Sequence, residues 1–546
     1  SLTGTGAFSS ADVQSGDLRV NGQLTAPTVT VQSGGTLGGS GTIIGAVTAD
    51  GTVAPGNSIG TLTINGNYTQ ATGSSYSVEL DNTGASDLLD VTGAATIQGG
   101  SSVNVLAAPG SYTVGTRSTI LTAAGGVTGT YDTLTDNAPF VDFVLNYDAD
   151  DVFLDVLRSG VPFASVARTP NERAAAGAVD SRDAGNPVFD AVTALDAPAA
   201  RHAFDLLSGE IHPTISETLV ERSADLRDAV NDRLLQPFDG ESLQLAAAVP
   251  TLDLAAGDGA DCTFICATGP DRRLATWGRA LGNWGHVDGD GNAGAADSET
   301  AGFISGIDAT FDESWRIGIA AGYSHTGLDV PSRTSSASID SYHIAAYGGF
   351  RSGNLTARLG AAYSFDDIGA TRDADFAGFS GSTQSEYWAR TAQAFGEAGY
   401  AFGTGRFTIM PVAGLAYINL DTDGFHEGDG PMGLHAQASD QDALFSNLEL
   451  RGATRIDAGS LALGLHGMVG WRHAFGDVTP DTRFTFDGGG TGFTVAGAPI
   501  ARDAALLEAG ADADLGDGIT LSLSYSGQAA PDSWTNGVAG DVRFRF

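Results

Sequence analysis

Residues 315–324 read WRIGIAAGYS. In an extended strand, Trp315, Ile317, Ile319, Ala321 and Tyr323 take one face, and Arg316, Gly318, Ala320, Gly322 and Ser324 take the other. The first face is apolar, with an aromatic residue at each end. The second is too small and too polar to fill a core. A soluble barrel reverses this logic, because its large apolar side chains fill the inside. The stretch therefore predicts a strand whose apolar face meets lipid and whose small, polar face lines a lumen.

The pattern recurs toward the C-terminus. It is found in NLTARLGAAY at 354–363, SLALGLHGMVGWR at 460–472, ITLSLSYS at 519–526 and GDVRFRF at 540–546. Twelve such strands are predicted between 273 and 546. Short turns alternate with long loops near 287–300, 329–337, 367–385, 422–439 and 476–500. An even strand number with short turns at one end and long loops at the other is expected of a closed outer-membrane barrel. Closure leaves no edge strand, which lipid requires. No run of 18 apolar residues exists, so no transmembrane helix is predicted. The predicted fold class is all-β: a 12-stranded transmembrane barrel with a helix in its lumen, preceded by a parallel β-solenoid fragment.

Residues 161–272 differ from both neighbours. NERAAAGAVDSRD, NPVFDAVTALDAPAARHAFDLLS and ISETLVERSADLRDAVNDRLL read as helices. In the third, Ile215, Leu219, Leu226 and Val230 lie on or near one face, with Arg222, Arg227, Asp228 and Arg233 on its flanks. That pattern fits an ordinary surface helix or one threading a polar channel. Barrel geometry favours the second. A chain that starts outside the cell and enters strand one from the periplasm must cross the membrane, and the lumen is the polar route. The crossing is placed at about 205–236, and 237–272 reads as loop.

Residues 1–160 are rich in Gly, Thr, Ser, Val and Ala, with short β-prone pieces between glycines. Such coils must stack to bury their apolar faces, which suits a solenoid. In TLTINGNYTQ, Leu62 and Ile64 oppose Thr61 and Thr63, and Asn65-Gly66 reads as a turn tolerating φ > 0. Strands lengthen over about 76–158, as in broad end coils that cover their own open edge.

The chain has 546 residues, 76 of them glycine, and a formal net charge of −38. It contains no lysine, so all 27 basic residues are arginine. This charge opposes nucleic-acid binding. The acids are scattered, without calcium-loop spacing, as on a solvated surface. The chain opens with SLTGTGAFSS, with no basic segment and apolar core, and is expected to be a processed or excised part of a longer precursor. Cys262 and Cys266 could pair as a disulfide or remain free thiols; no histidine lies nearby to complete a zinc site.

Over about 205–546 the chain resembles the autotransporters of type V secretion. LLSGEIHPTISETLVERSADLRDAVNDRL at 206–234 is similar to the family's linker helix. WGRALGNWG at 277–285 and GFISGIDATFDESWRIGIAAGYSHTGL at 302–328 are similar to its first strands, and ARDAALLEAGADADLG, LSLSYSGQ and VRFRF to its last. GTVAPGNSIGTLTINGNYTQ resembles a motif of solenoid passengers beside such barrels. The resemblance implies an outer-membrane translocator that exports and anchors its own N-terminal passenger at the cell surface. Val542, Phe544 and Phe546 would be the signal read by the outer-membrane assembly machinery, and periplasmic chaperones would be partners. Residues 76–158 would be similar to the segment that helps the passenger fold outside. Some members cut themselves at an Asn-Asn bond in the lumen; no such pair occurs in this helix, and VNDR around Asn231 is the nearest feature. The passenger is expected to stay attached, with an adhesive surface toward an unidentified host or surface ligand. An outer-membrane pore or barrel enzyme is the alternative.

No G-x-S-x-G, H-E-x-x-H or phosphate-binding loop is present. Nine histidines are dispersed, among them His325, His343, His466 and His473 in strands. Ser208, Glu210 and His212 lie close together. Neither enzymatic activity, nor a cofactor, nor a metal is expected.

Overall fold

The computed structural model describes residues 1–81, 83–108, 112–236, 273–311, 314–404, 407–458, 461–516 and 519–545. Cys262, Cys266, Phe546 and the loop read over 237–272 lie outside the described residues. The chain forms two compact units. One comprises Ser1–Arg168, Ala175–Leu207 and Ala374–Gly381; the other comprises Thr169–Ala174, Ser208–Asp373 and Ser382–Phe546.

In the first unit short strands stack in parallel. Leu24 pairs with Ile43, Ile43 with Ile64, Ile64 with Val91 and Val91 with Ala123. Along a second column Leu37 pairs with Val53, Val53 with Tyr76 and Tyr76 with Val103. Every residue of both columns is buried. This is the alternation of Leu62 and Ile64 repeated from layer to layer. The Asn65-Gly66 turn is present, as a bend between the strands Thr61–Asn65 and Tyr68–Gln70, but its φ > 0 reading is corrected. Gly66 does not adopt a positive φ. A Cβ there would instead collide with the backbone of Gly45 in the adjacent layer, so the glycine permits close approach. The stack ends in an antiparallel hairpin, Val141–Tyr147 with Asp151–Arg158, laid along Arg117–Ala123. The second predicted helix is two, Pro187–Thr193 and Ala197–Leu207; Asn186 caps the first, and Asp196 accepts from the Ala199 amide at the start of the second.

The second unit is a closed antiparallel barrel of 12 long strands. They are β1 (Arg273–Val287), β2 (Ala296–Phe311), β3 (Trp315–Val330), β4 (Ser335–Ser352), β5 (Leu355–Phe376), β6 (Phe379–Tyr400), β7 (Phe407–Thr422), β8 (Ser439–Ala458), β9 (Leu461–Phe475), β10 (Asp503–Gly516), β11 (Ile519–Ala530) and β12 (Ser533–Arg545). Each pairs with the next, and β1 pairs with β12 to close the ring. The faces of 315–324 separate as read: Ile319 is 62% exposed and Arg316 is 3% exposed.

Two loop expectations are corrected. The segment 367–385 is mostly the continuation of β5 and β6. In the β5 extension the apolar residues Ile368, Ala370, Ala374 and Phe376 are on the buried face and the outer face is polar, the reverse of the lipid-facing alternation, so that pattern does not reveal the strand. The loops near 422–439 and 476–500 supply a four-stranded antiparallel sheet from Phe425–His426, Leu434–Ala436, Asp481–Phe486 and Phe493–Ala496. Strands of two to six residues are too short for periodicity to show.

Candidate functional site: the helix inside the barrel

Helix α1 (Ile211–Leu235) has 25 residues. At about 1.5 Å per residue it is roughly 37 Å long, more than the ~25 Å apolar band of such barrels. Its entry is set by Gly209, at φ +78°, which turns the chain out of Ala197–Leu207. A Cβ at Gly209 would collide with Leu434.

The helix is buried nearly all round. Ile215, Leu219, Leu226 and Val230 are buried, as the apolar face predicts, and so are Arg227 and Arg233; Arg222 is half-buried. Burial of the flanking arginines is explained by polar partners on the barrel wall. Arg222 donates to the Thr535 hydroxyl at 3.1 Å and Arg227 to the Gln393 side chain at 3.2 Å. Arg233 holds both oxygens of Asp308 at 2.6 and 2.7 Å. Asp308 also accepts from Tyr347, whose hydroxyl accepts from the Trp277 indole N–H. Arg316 donates to the Arg233 carbonyl. The Arg233 contacts fix the C-terminal end of α1 at the short-turn end of the barrel.

Interleaved with these contacts along the helix are pairs of reversed polarity. Asp232 on the helix accepts from Arg279 on β1 at 2.8 Å. Arg472 on β9 donates to both oxygens of Glu221 at 2.9 and 2.6 Å, and its guanidinium lies over the Phe445 ring. Asn231 donates to Glu397, which also accepts from Arg358. Buried ions on both sides of the helix–wall boundary thus find opposite charges, which burial demands.

At the long-loop end the helix start is held by a second set. His212 meets Glu427 through Nε2 at 2.7 Å and Tyr387 through Nδ1 at 3.0 Å. Arg372 donates to both oxygens of Glu427. Burial pushes the Glu427 carboxyl up, but Arg372 and the His212 hydrogen bond outweigh it and bring its pKa down to about 2. Glu210 accepts from Arg333 at 2.9 Å and from the Gly294 amide at 2.5 Å.

Ser208, Glu210 and His212 therefore do not form a relay, since Glu210 and His212 are engaged with different partners. Elsewhere His343 bridges Ser324 at 2.9 Å and Ser364 at 2.7 Å. A hydroxyl stands where a triad places the orienting carboxylate. These ion pairs were missed in the sequence because their members lie far apart; their only trace is the presence of charged residues on strand faces otherwise lined by Gly, Ser and Ala. Of the terminal residues Val542 and Phe544, the first is half-buried and the second exposed on the outer face.

Residues 276–526 match the family described as autotransporter beta-domain. Two proteins of Serratia marcescens, each named extracellular serine protease, are 31% and 29% identical to this chain over 98% of its length. The chain spans 54% of each, about half their length. The translocator domain of the autotransporter NalP from Neisseria meningitidis is 15% identical, with a TM-score of 0.44, covering 61% of this chain and 99% of that one. The expectation that no enzyme is involved is corrected by the names of the two Serratia relatives.

Proposed function

The chain carries the outer-membrane β-domain of the autotransporter family, and from that premise we propose that its barrel exports and anchors the residues that precede it, as part of a secreted serine protease. The observation that carries the first half is α1, buried along its length and clasped to the wall at Asp308, Arg279 and Arg472. A helix so held is the remnant of the exported chain, left in the pore after transit. On this reading residues 1–160 are the base of a solenoid passenger, residues 161–272 the linker and residues 273–546 the translocator. Residues 76–158 seed passenger folding outside the cell, and the assembly machinery reads Val542, Phe544 and Phe546. The two relatives named as proteases support an enzymatic rather than an adhesive passenger.

Planar-bilayer conductance tests the plug. The intact chain should give a small or closed conductance, and deletion of residues 205–236 a large one. A large conductance that the deletion leaves unchanged would overturn it. The passenger's chemistry is tested on cells that display the complete precursor. An active-site serine should react with a fluorophosphonate probe at the cell surface, and a passenger that stays unlabelled is not a serine protease.

A further inference from the structure

The small sheet at the long-loop end gathers metal-ligating side chains that neither the barrel nor the plug uses. His426 and His435 are direct partners in the antiparallel pair Phe425–His426 with Leu434–Ala436. Directly opposed residues project to the same face, and the two imidazole centroids are 6.0 Å apart. Leu434–Ala436 pairs in turn with Asp481–Phe486, and Asp487 follows at once. Asp487 Oδ1 lies 3.6 Å from His426 Nε2. Asp429 comes from the turn between the two histidine strands. One ligand atom each from His426, Asp429 and Asp487 lies within 4.8 Å of the others.

The donor set decides the ion. The His426 imidazole and two carboxylates, with the His435 imidazole 6.0 Å from that of His426, give a mixed nitrogen and oxygen set, which suits Zn²⁺ and its first-row neighbours. Ca²⁺ takes six to eight oxygens and has no preference for imidazole. Zinc bonds of about 2.0–2.2 Å require the ligand atoms to draw closer together. The hairpin that carries His426, Asp429 and His435 is surface chain, and the His426 and Asp487 side chains are each 37% exposed, so an ion has access. Two carboxylates beside imidazoles supply the negative charge that a divalent cation neutralises.

We propose that His426, Asp429, His435 and Asp487 bind one zinc-class divalent cation at the cell-surface end of the barrel. The ion ties the loop between β7 and β8 to the loop between β9 and β10. The proposal does not rest on the translocator reading, and either can fail without the other.

The test is calorimetric titration of ZnCl₂ into the full chain refolded in detergent, with Cys262 and Cys266 alkylated so that thiols do not compete. CaCl₂ is titrated in parallel. One zinc per chain is expected, with Ca²⁺ bound at least tenfold more weakly. His426→Ala and Asp487→Asn should each weaken zinc at least about tenfold, the smallest loss that even an outer-shell change causes. Retention of heat-modifiable gel mobility shows that each variant is folded. His286 contacts Asp288 and Asp297 elsewhere on the surface, and His286→Ala should leave zinc affinity unchanged. Zinc affinity that survives both site variants, or that falls with His286→Ala instead, overturns the proposal.

Discussion

Glu427 shows how a single carboxylate is kept ionised inside protein. It serves Arg372 and His212 together, and its folded pKa of about 2 lies below its value in an unfolded chain. Its stabilisation is therefore full above the unfolded pKa near ~4.3 and is lost as pH falls toward 2. Glu427→Gln removes the carboxylate charge that Arg372 and His212 share, and breaking a buried pair in this way typically costs about 3–5 kcal/mol. The expected outcome is a lower temperature for the heat-modifiable gel shift, with a smaller difference from the native chain near pH 3; an unchanged shift temperature at pH 7 would show that the cluster contributes nothing. Asp87 illustrates the opposite sign. Burial raises its pKa to about 6, although it accepts from the Gly60 and Glu79 amides. The folded form holds its proton more tightly, so the parallel stack should lose stability as pH rises from about 4 to 6. Denaturant titrations of the chain across that range should show the slope, and Asp87→Asn should flatten it.

At the scale of elements, legibility followed geometry. The barrel strands could be read because each carries its own two-residue period, so a strand such as Trp315–Val330 declares both faces without reference to its neighbours. The helix was found for the same reason, through Ile215, Leu219, Leu226 and Val230. What holds the helix could not be read. Arg472 and Glu221 are separated by 251 positions, and no local pattern relates them. The four-stranded sheet escaped because its strands, two to six residues long, are too short for periodicity to show, and the β5–β6 extension because its residues have no lipid-facing side to mark. The clasp at the foot of α1 gives a prediction. Arg233→Met leaves Asp308 buried without its principal partner and should destabilise the helix–wall contact by about 3–5 kcal/mol. Adding Asp308→Asn should recover part of that loss, because the stranded charge is then gone. Guanidinium unfolding of the refolded barrel, followed by tryptophan fluorescence through Trp277, measures both; a double variant no better than the single would show that the pair is not the source. At the other end, Gly209→Ala places a Cβ at a positive φ and against Leu434. It should raise the single-channel conductance by loosening the helix start.

The whole molecule consists of two compact units built on opposite principles. One hides its apolar residues inside parallel layers, as Leu24, Ile43, Ile64 and Val91 show. The other wears them outside, as Leu359 and Leu523 do at 68% exposure. The two should therefore respond differently to solvent. In detergent, calorimetry should resolve two transitions, and the one assigned to the stack should move between pH 4 and 6. A single merged transition would show that the units unfold together. The packing of α1 also bears on the direction of transport. On the export reading proposed above, α1 takes its place in the lumen once the chain ahead of it has passed. Arg233, Asp232 and Glu221 would then find their wall partners. On that reading, seating is a stop signal written in arginine and carboxylate, and export becomes a one-way event: withdrawing the chain would mean pulling those charges off their counter-ions.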